Sequence, residues 1–192
     1  ALTHCIEAYT VQLHQPITDA LALKGISMIA ENLEKAYENG EDREARRNMM
    51  IASTIGGMAF ISSNVGAVHA FAETVGAWFD TPHGVANSLF LPYIMEFNIP
   101  ACPERFADIA DAMGIEREES MSDEQYALKA VEYVKALNRK LNIPTIKEIK
   151  GITEERFEAI AERSANNVLS NDNARKITKE DYLELLKKAY NE

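Results

Sequence analysis

The chain has 192 residues, 46% hydrophobic and 26% charged, and a formal net charge of −10. A chain of that size supports one substantial core, so a single domain spanning residues 1–192 is expected, and the composition excludes a disordered protein. The acidic balance argues against nucleic acid or an anionic membrane surface as partner, since both are held mainly by clustered Lys and Arg. No long apolar run and no signal-peptide pattern occurs. Cys5 and Cys102 form no C-x-x-C pair and read as buried free thiols of a reducing compartment, so the cytoplasm is the expected setting.

The opening ALTHCIEAY is already helical in pattern, lacks Met and has no capping residue before it, so it reads as a fragment whose upstream half is missing. Leu2, Ile6, Tyr9 and Leu13 share the inner face of this first helix. Pro16 starts a second one that runs to about Glu38, stopped by Asn39-Gly40. Asp42 caps a third, with Met49, Ala52, Ile55, Ala59 and Phe60 inward; its Gly56-Gly57 pair weakens the helix and marks a close approach of another backbone or a ligand. Ser62, Ser63, Asn64 and Gly66 end it. A short buried helix is expected over 67–75, a turn over 76–81, and then a helix capped by Thr81, begun at Pro82 and broken near Pro92. Beyond Pro103 come an amphipathic helix ending at Gly114, a long one capped by Ser122 and Gln125, a connector over 144–151, and helices opened by Thr153 and Thr178. Alternating strand patterns and repeats are absent, so the fold class is all-α: an irregular multi-helix bundle of eight or nine helices.

From Asn48 to Glu104 there is no Lys or Arg, and only four acidic residues occur: Glu73, Asp80, Glu96 and Glu104. A carboxylate on such an apolar stretch is costly to bury without a cation or strong donors. His69 and Glu73 lie at i and i+4, on one helix face, and His83 follows after a turn. Imidazole with carboxylate suits a first-row divalent metal better than calcium or magnesium. The plain alternative is a hydrogen-bonded core histidine at 69 and a solvent-exposed helix-start histidine at 83. His4 alone reads as structural, and His14 as a surface residue. No glycine-rich phosphate cradle is present.

Taken together, ALTHCIEAY, PITDALAL, the run from Ser53 to Asn87 ending HAFAETVGAWFDTPHGVANS, and LPYIMEFN resemble the C-terminal half of the iron-containing (group III) alcohol dehydrogenases. The match runs in order to about Asn98, and ITKEDYLELLKKAY near the end is looser. The resemblance implies metal ligation by His4, His69 and His83, with the fourth ligand, an Asp, at the position just before Ala1. It implies Fe2+ as the metal, with Zn2+ as an alternative, acting as a Lewis acid in reversible hydride transfer between a small alcohol and NAD or NADP. That nucleotide would be bound mainly by an upstream α/β domain absent from this chain. Glu73 falls where many members carry another histidine and would orient a water or an imidazole beside the metal. Phe60 falls where the family places an aromatic lining the substrate pocket, although core packing explains it equally well. The fragment itself is expected to be inactive and to associate with copies of itself. The alternatives are a zinc-dependent relative of the glycerol dehydrogenase type and a non-catalytic helical oligomerisation module.

Overall fold

In the computed structural model, which describes residues 1–192, nine α-helices follow one another without a strand. They are α1 (Leu2–Thr10), α2 (Pro16–Glu38), α3 (Arg43–Ser63), α4 (Ala67–Phe79), α5 (His83–Asn98), α6 (Pro103–Ala112), α7 (Asp123–Lys140), α8 (Phe157–Ala165) and α9 (Lys179–Asn191), with short 3₁₀ turns between some of them. Successive helices pair as α2 with α3, α4 with α5, α6 with α7 and α8 with α9. No single helix is long and apolar enough to cross a membrane; α3 and α4 pass such a test only as a pair bent by 107°.

Caps written into the local sequence open several helices. Gln15 and Thr18 form a reciprocal box ahead of α2, Asp42 accepts from Ala45 N–H at 2.9 Å, and Ser122 with Gln125 and Thr178 with Asp181 close boxes at α7 and α9. α1 is laid against α2 and α3 at backbone distance. A Cβ on Gly25 would stand 2.5 Å from Cys5 Sγ, and one on Gly56 would stand 3.1 Å from that sulfur and 3.4 Å from the Ala1 carbonyl. Gly57 faces open space, so the expected close approach holds for only one of the two adjacent glycines. The far end of α1 is held by Arg105 of α6. Its Nε donates to the Tyr9 carbonyl at 2.7 Å, its NH2 pairs with Asp19 at 2.7 Å, and its plane lies 3.9 Å from the Tyr9 ring centre. Both cysteines are free, and burial pushes each thiol up to about 11.

Several local expectations fail for identifiable reasons. α1 stops at Thr10, leaving Leu13 54% exposed beyond it. α4 continues through Gly76 to Phe79 and ends where Asp80 takes a left-handed φ of 51°. Gly76 is helical, and its missing Cβ makes room for the Thr81 carbonyl, 3.3 Å from where that Cβ would be. Thr81 does not cap α5: its hydroxyl is turned inward without a partner, Pro82 is extended, and His83 is the first helical residue. Pro92 does not break α5. It removes the N–H that would meet the Ser88 carbonyl, but Asn138 Nδ2 on α7 donates to that carbonyl at 2.7 Å. Likewise Thr153 precedes a 3₁₀ turn over Glu154–Arg156, and α8 proper begins at Phe157.

Forty-one buried hydrophobic residues form one continuous cluster. Phe71 of α4 stacks on Phe90 of α5 at 4.2 Å and meets Tyr182 of α9 edge-on at 4.6 Å, so α4 and α5 run through the middle of the molecule. Their lack of Lys and Arg follows from this placement, because an unpaired charge there would be desolvated.

Candidate metal centre

His4, His69 and His83 each lie in the first turn of a helix, α1, α4 and α5 respectively. Three helix starts are therefore brought to one region of the molecule. One ring nitrogen from each histidine lies within 4.8 Å of the others. His4 Nε2 and His69 Nε2 are 3.1 Å apart, and the His69 and His83 ring centres are 5.3 Å apart. Tetrahedral zinc–imidazole bonds would place neighbouring ligand nitrogens about 3.3 Å apart, so the His4–His69 edge already has a suitable length. The donor set thus fits a divalent ion of the imidazole-binding kind.

The rings differ in setting. His69 is buried, His4 is half-buried and His83 is exposed. Phe60 of α3 stacks on His4 with centroids 4.4 Å apart and planes 22° from parallel, which fixes the tilt of that imidazole. Burial, then the charge that His69 would carry, pushes His4 down to about 3. His83 moves down for the same two reasons, against an opposing pull from Glu73. Asn87 Nδ2, one turn along α5, donates to His83 Nε2 at 2.9 Å, and Asn87 Oδ1 is buried without a partner. A cavity of about 210 Å³ opens beside His4 and His83, walled by Ile29, Leu33, Leu91, Val134 and Leu137, with Asn87 at its polar edge.

The carboxylate buried near this centre is Glu7, not Glu73. Glu73 is exposed and accepts from Asn167 Nδ2 at 2.7 Å, so it needs no compensating cation. Glu7, 3% exposed, accepts from Val68 N–H at 2.8 Å through Oε1 and pairs through Oε2 with His69 Nδ1. Asn173 Oδ1 accepts from Ala67 N–H at 3.2 Å, and the same side chain donates to Asn98 Oδ1 at 2.7 Å and to the Arg175 carbonyl at 2.8 Å. Glu7 and Asn173 therefore cap α4 from outside, because its own N-cap residue, Gly66, has no side chain. A Cβ at Gly66 would stand 3.0 Å from Asn173 Oδ1 and 3.2 Å from Glu7 Oε1. Neither capping residue was singled out in the sequence. The available signal was a buried helix opened by glycine, whose first-turn N–H groups had to find acceptors elsewhere. His14, the fourth histidine, lies at the surface 3.3 Å from Asp19 and takes no part.

Residues 1–190 match the family described as Fe-containing alcohol dehydrogenase family, C-terminal. Alcohol dehydrogenase 4 of Saccharomyces cerevisiae is 42% identical over 193 residues, covering 99% of this chain and 48% of that protein. The 1,3-propanediol dehydrogenase of Citrobacter freundii is 38% identical over 190 residues, covering 99% and 49% respectively. A crystal structure of a 1,3-propanediol oxidoreductase superposes with a TM-score of 0.94 at 38% identity, over 98% of this chain and 49% of that one. This chain belongs to the iron-containing alcohol dehydrogenase family, to which its motifs pointed, and corresponds to the family's C-terminal helical part. It spans about half the length of the relatives it matches.

Proposed function

We propose that the chain is the helical metal-binding domain of an iron-type alcohol dehydrogenase, a cytoplasmic enzyme carrying out reversible hydride transfer between a small alcohol and NAD or NADP. The convergence of three imidazoles within 4.8 Å, from three helix starts, carries this reading. In it His4, His69 and His83 hold Fe2+, with Zn2+ as the alternative ion, through neutral ring nitrogens. When bound, such an ion supplies Lewis acidity toward an alcohol oxygen. The starts of α1 and α5, which carry no side-chain cap, add a positive potential that favours an anionic oxygen at the same place. Phe60 braces His4 and presents an aromatic edge to the alcohol. Glu73, at the exposed rim, carries negative charge next to His83 and helps orient a water there. The nicotinamide nucleotide would be held mainly by the half of the relatives that this chain does not match, with the alcohol in the cleft between the two. Association with further copies of itself belongs to the same reading.

The test is metal content. The purified chain takes up one ion per molecule, weakly, and His69→Ala abolishes uptake; unchanged occupancy in His69→Ala refutes the ligand assignment. By itself the chain oxidises no short alcohol with either nucleotide, and turnover above background would overturn the two-part division of labour.

A further inference from the structure

We propose that Glu7 is the positioning residue that selects the tautomer of His69, presenting Nε2 rather than Nδ1 to the metal. The proposal rests on the reading of His69 as a ligand, but its first observable exists without metal. As a carboxylate, Glu7 offers acceptors only, and both its oxygens are engaged by groups at the start of α4: Oε1 by Val68 N–H and Oε2 by His69 Nδ1. An acceptor held against Nδ1 requires the ring proton to sit on Nδ1. The lone pair is then left on Nε2, the nitrogen that faces His4 Nε2 at 3.1 Å. The imidazole is thus set for ligation before any ion arrives, and the side chain that sets it also fixes the helix carrying it. Metal-bound imidazoles commonly rely on such a carboxylate for ring orientation and basicity.

A second observation points the same way. Glu7 is 3% exposed, makes no salt bridge to Lys or Arg, and has against it only the His69 imidazole, which the Nδ1–H tautomer leaves neutral. Such a buried negative charge is expensive unless a positive charge is close. A divalent ion on the far nitrogen of the same imidazole places that charge one ring away, so the carboxylate and the ion stabilise each other through His69.

Glu7→Gln isolates the effect. The amide matches the carboxylate in size, and its oxygen can still accept from Val68 N–H, so the cap on α4 is kept. Its NH2 then faces His69 Nδ1 as a donor, and the ring proton must move to Nε2. In metal-free protein, nitrogen-15 shifts of His69 should report Nδ1–H in the wild type and Nε2–H in Glu7→Gln. Zinc affinity, measured by competition with a chelator, should fall roughly 10- to 100-fold in Glu7→Gln. Glu7→Asp keeps the acceptor chemistry on a shorter stem and should retain the Nδ1–H tautomer with an intermediate affinity. It also serves as the second variant should Glu7→Gln fail to fold. A wild-type His69 protonated on Nε2, or a folded Glu7→Gln protein that binds zinc as tightly as the wild type, overturns the proposal. A wild type showing Nδ1–H but taking up no zinc supports the orienting role of Glu7 and refutes the metal reading instead.

Discussion

Gly66→Ala is the sharpest test of how α4 is seated. The added methyl would stand 3.0 Å from Asn173 Oδ1, 3.2 Å from Glu7 Oε1 and 3.3 Å from Val11 Cγ1, and two of these three atoms are the acceptors that cap the helix. Moving both weakens one hydrogen bond to a carboxylate, worth about 1.5–3 kcal/mol, and one neutral bond, worth about 1 kcal/mol. The expected loss is therefore about 2–4 kcal/mol, or roughly 5–15 °C in Tm for a chain of this size. Thermal and urea unfolding followed by circular dichroism would measure it. Gly57→Ala is the matched control: it lies inside α3 with nothing within 4 Å of the new Cβ, and it should leave stability unchanged or raise it by up to about 1 kcal/mol. A Gly66→Ala protein melting within about 2 °C of the wild type would refute the account of the cap.

The remaining expectations concern α5 and the half-buried histidine. Asn138→Ala leaves the Ser88 carbonyl without its donor and should cost about 1–2 kcal/mol. In a Pro92→Ala background, where the backbone regains its own N–H, that cost should shrink, and a double-mutant cycle giving no coupling would contradict the compensation. His4 titrates near the ordinary histidine value of 6.5 in the unfolded chain but is pushed down to about 3 by burial when folded, so below pH 6.5 the unfolded chain binds a proton that the folded one refuses. Stability should therefore fall as pH drops from 6.5 toward 3, and His4→Phe should lose less over that window. Urea midpoints at pH 7 and pH 5 that shift equally in both proteins would show that His4 is not the source.

The parts of the fold legible in the sequence were those governed by neighbours along the chain. Asp42, Ser122 and Thr178 announce their helices because each caps within three residues, and the helical spacing of apolar residues carries the all-α class. The misread points are governed by residues far away. Pro92 obeys its usual rule until Asn138 supplies the missing donor across a gap of 46 positions. The site divides in the same way. Family motifs draw attention to His4, His69 and His83, and the i, i+4 spacing drew it to Glu73. That spacing gives a shared helix face without saying where along the face solvent begins, and Glu73 lies beyond that boundary, bonded to Asn167. Glu7, the carboxylate that does reach His69, stands 62 positions away and has no local signature.

The borrowed caps on α4 also bear on the order of assembly. The acceptors for Val68 and Ala67 come from 61 residues earlier and 106 residues later in the chain, and contacts of such long span close at a high entropic cost. A chain shortened before Asn173 could still form α1, α4 and α5 and would carry all three imidazoles, yet the helix bearing His69 would lack one of its two fasteners. The histidine cluster is thus finished only once the segment bearing Asn173 has docked against the start of α4.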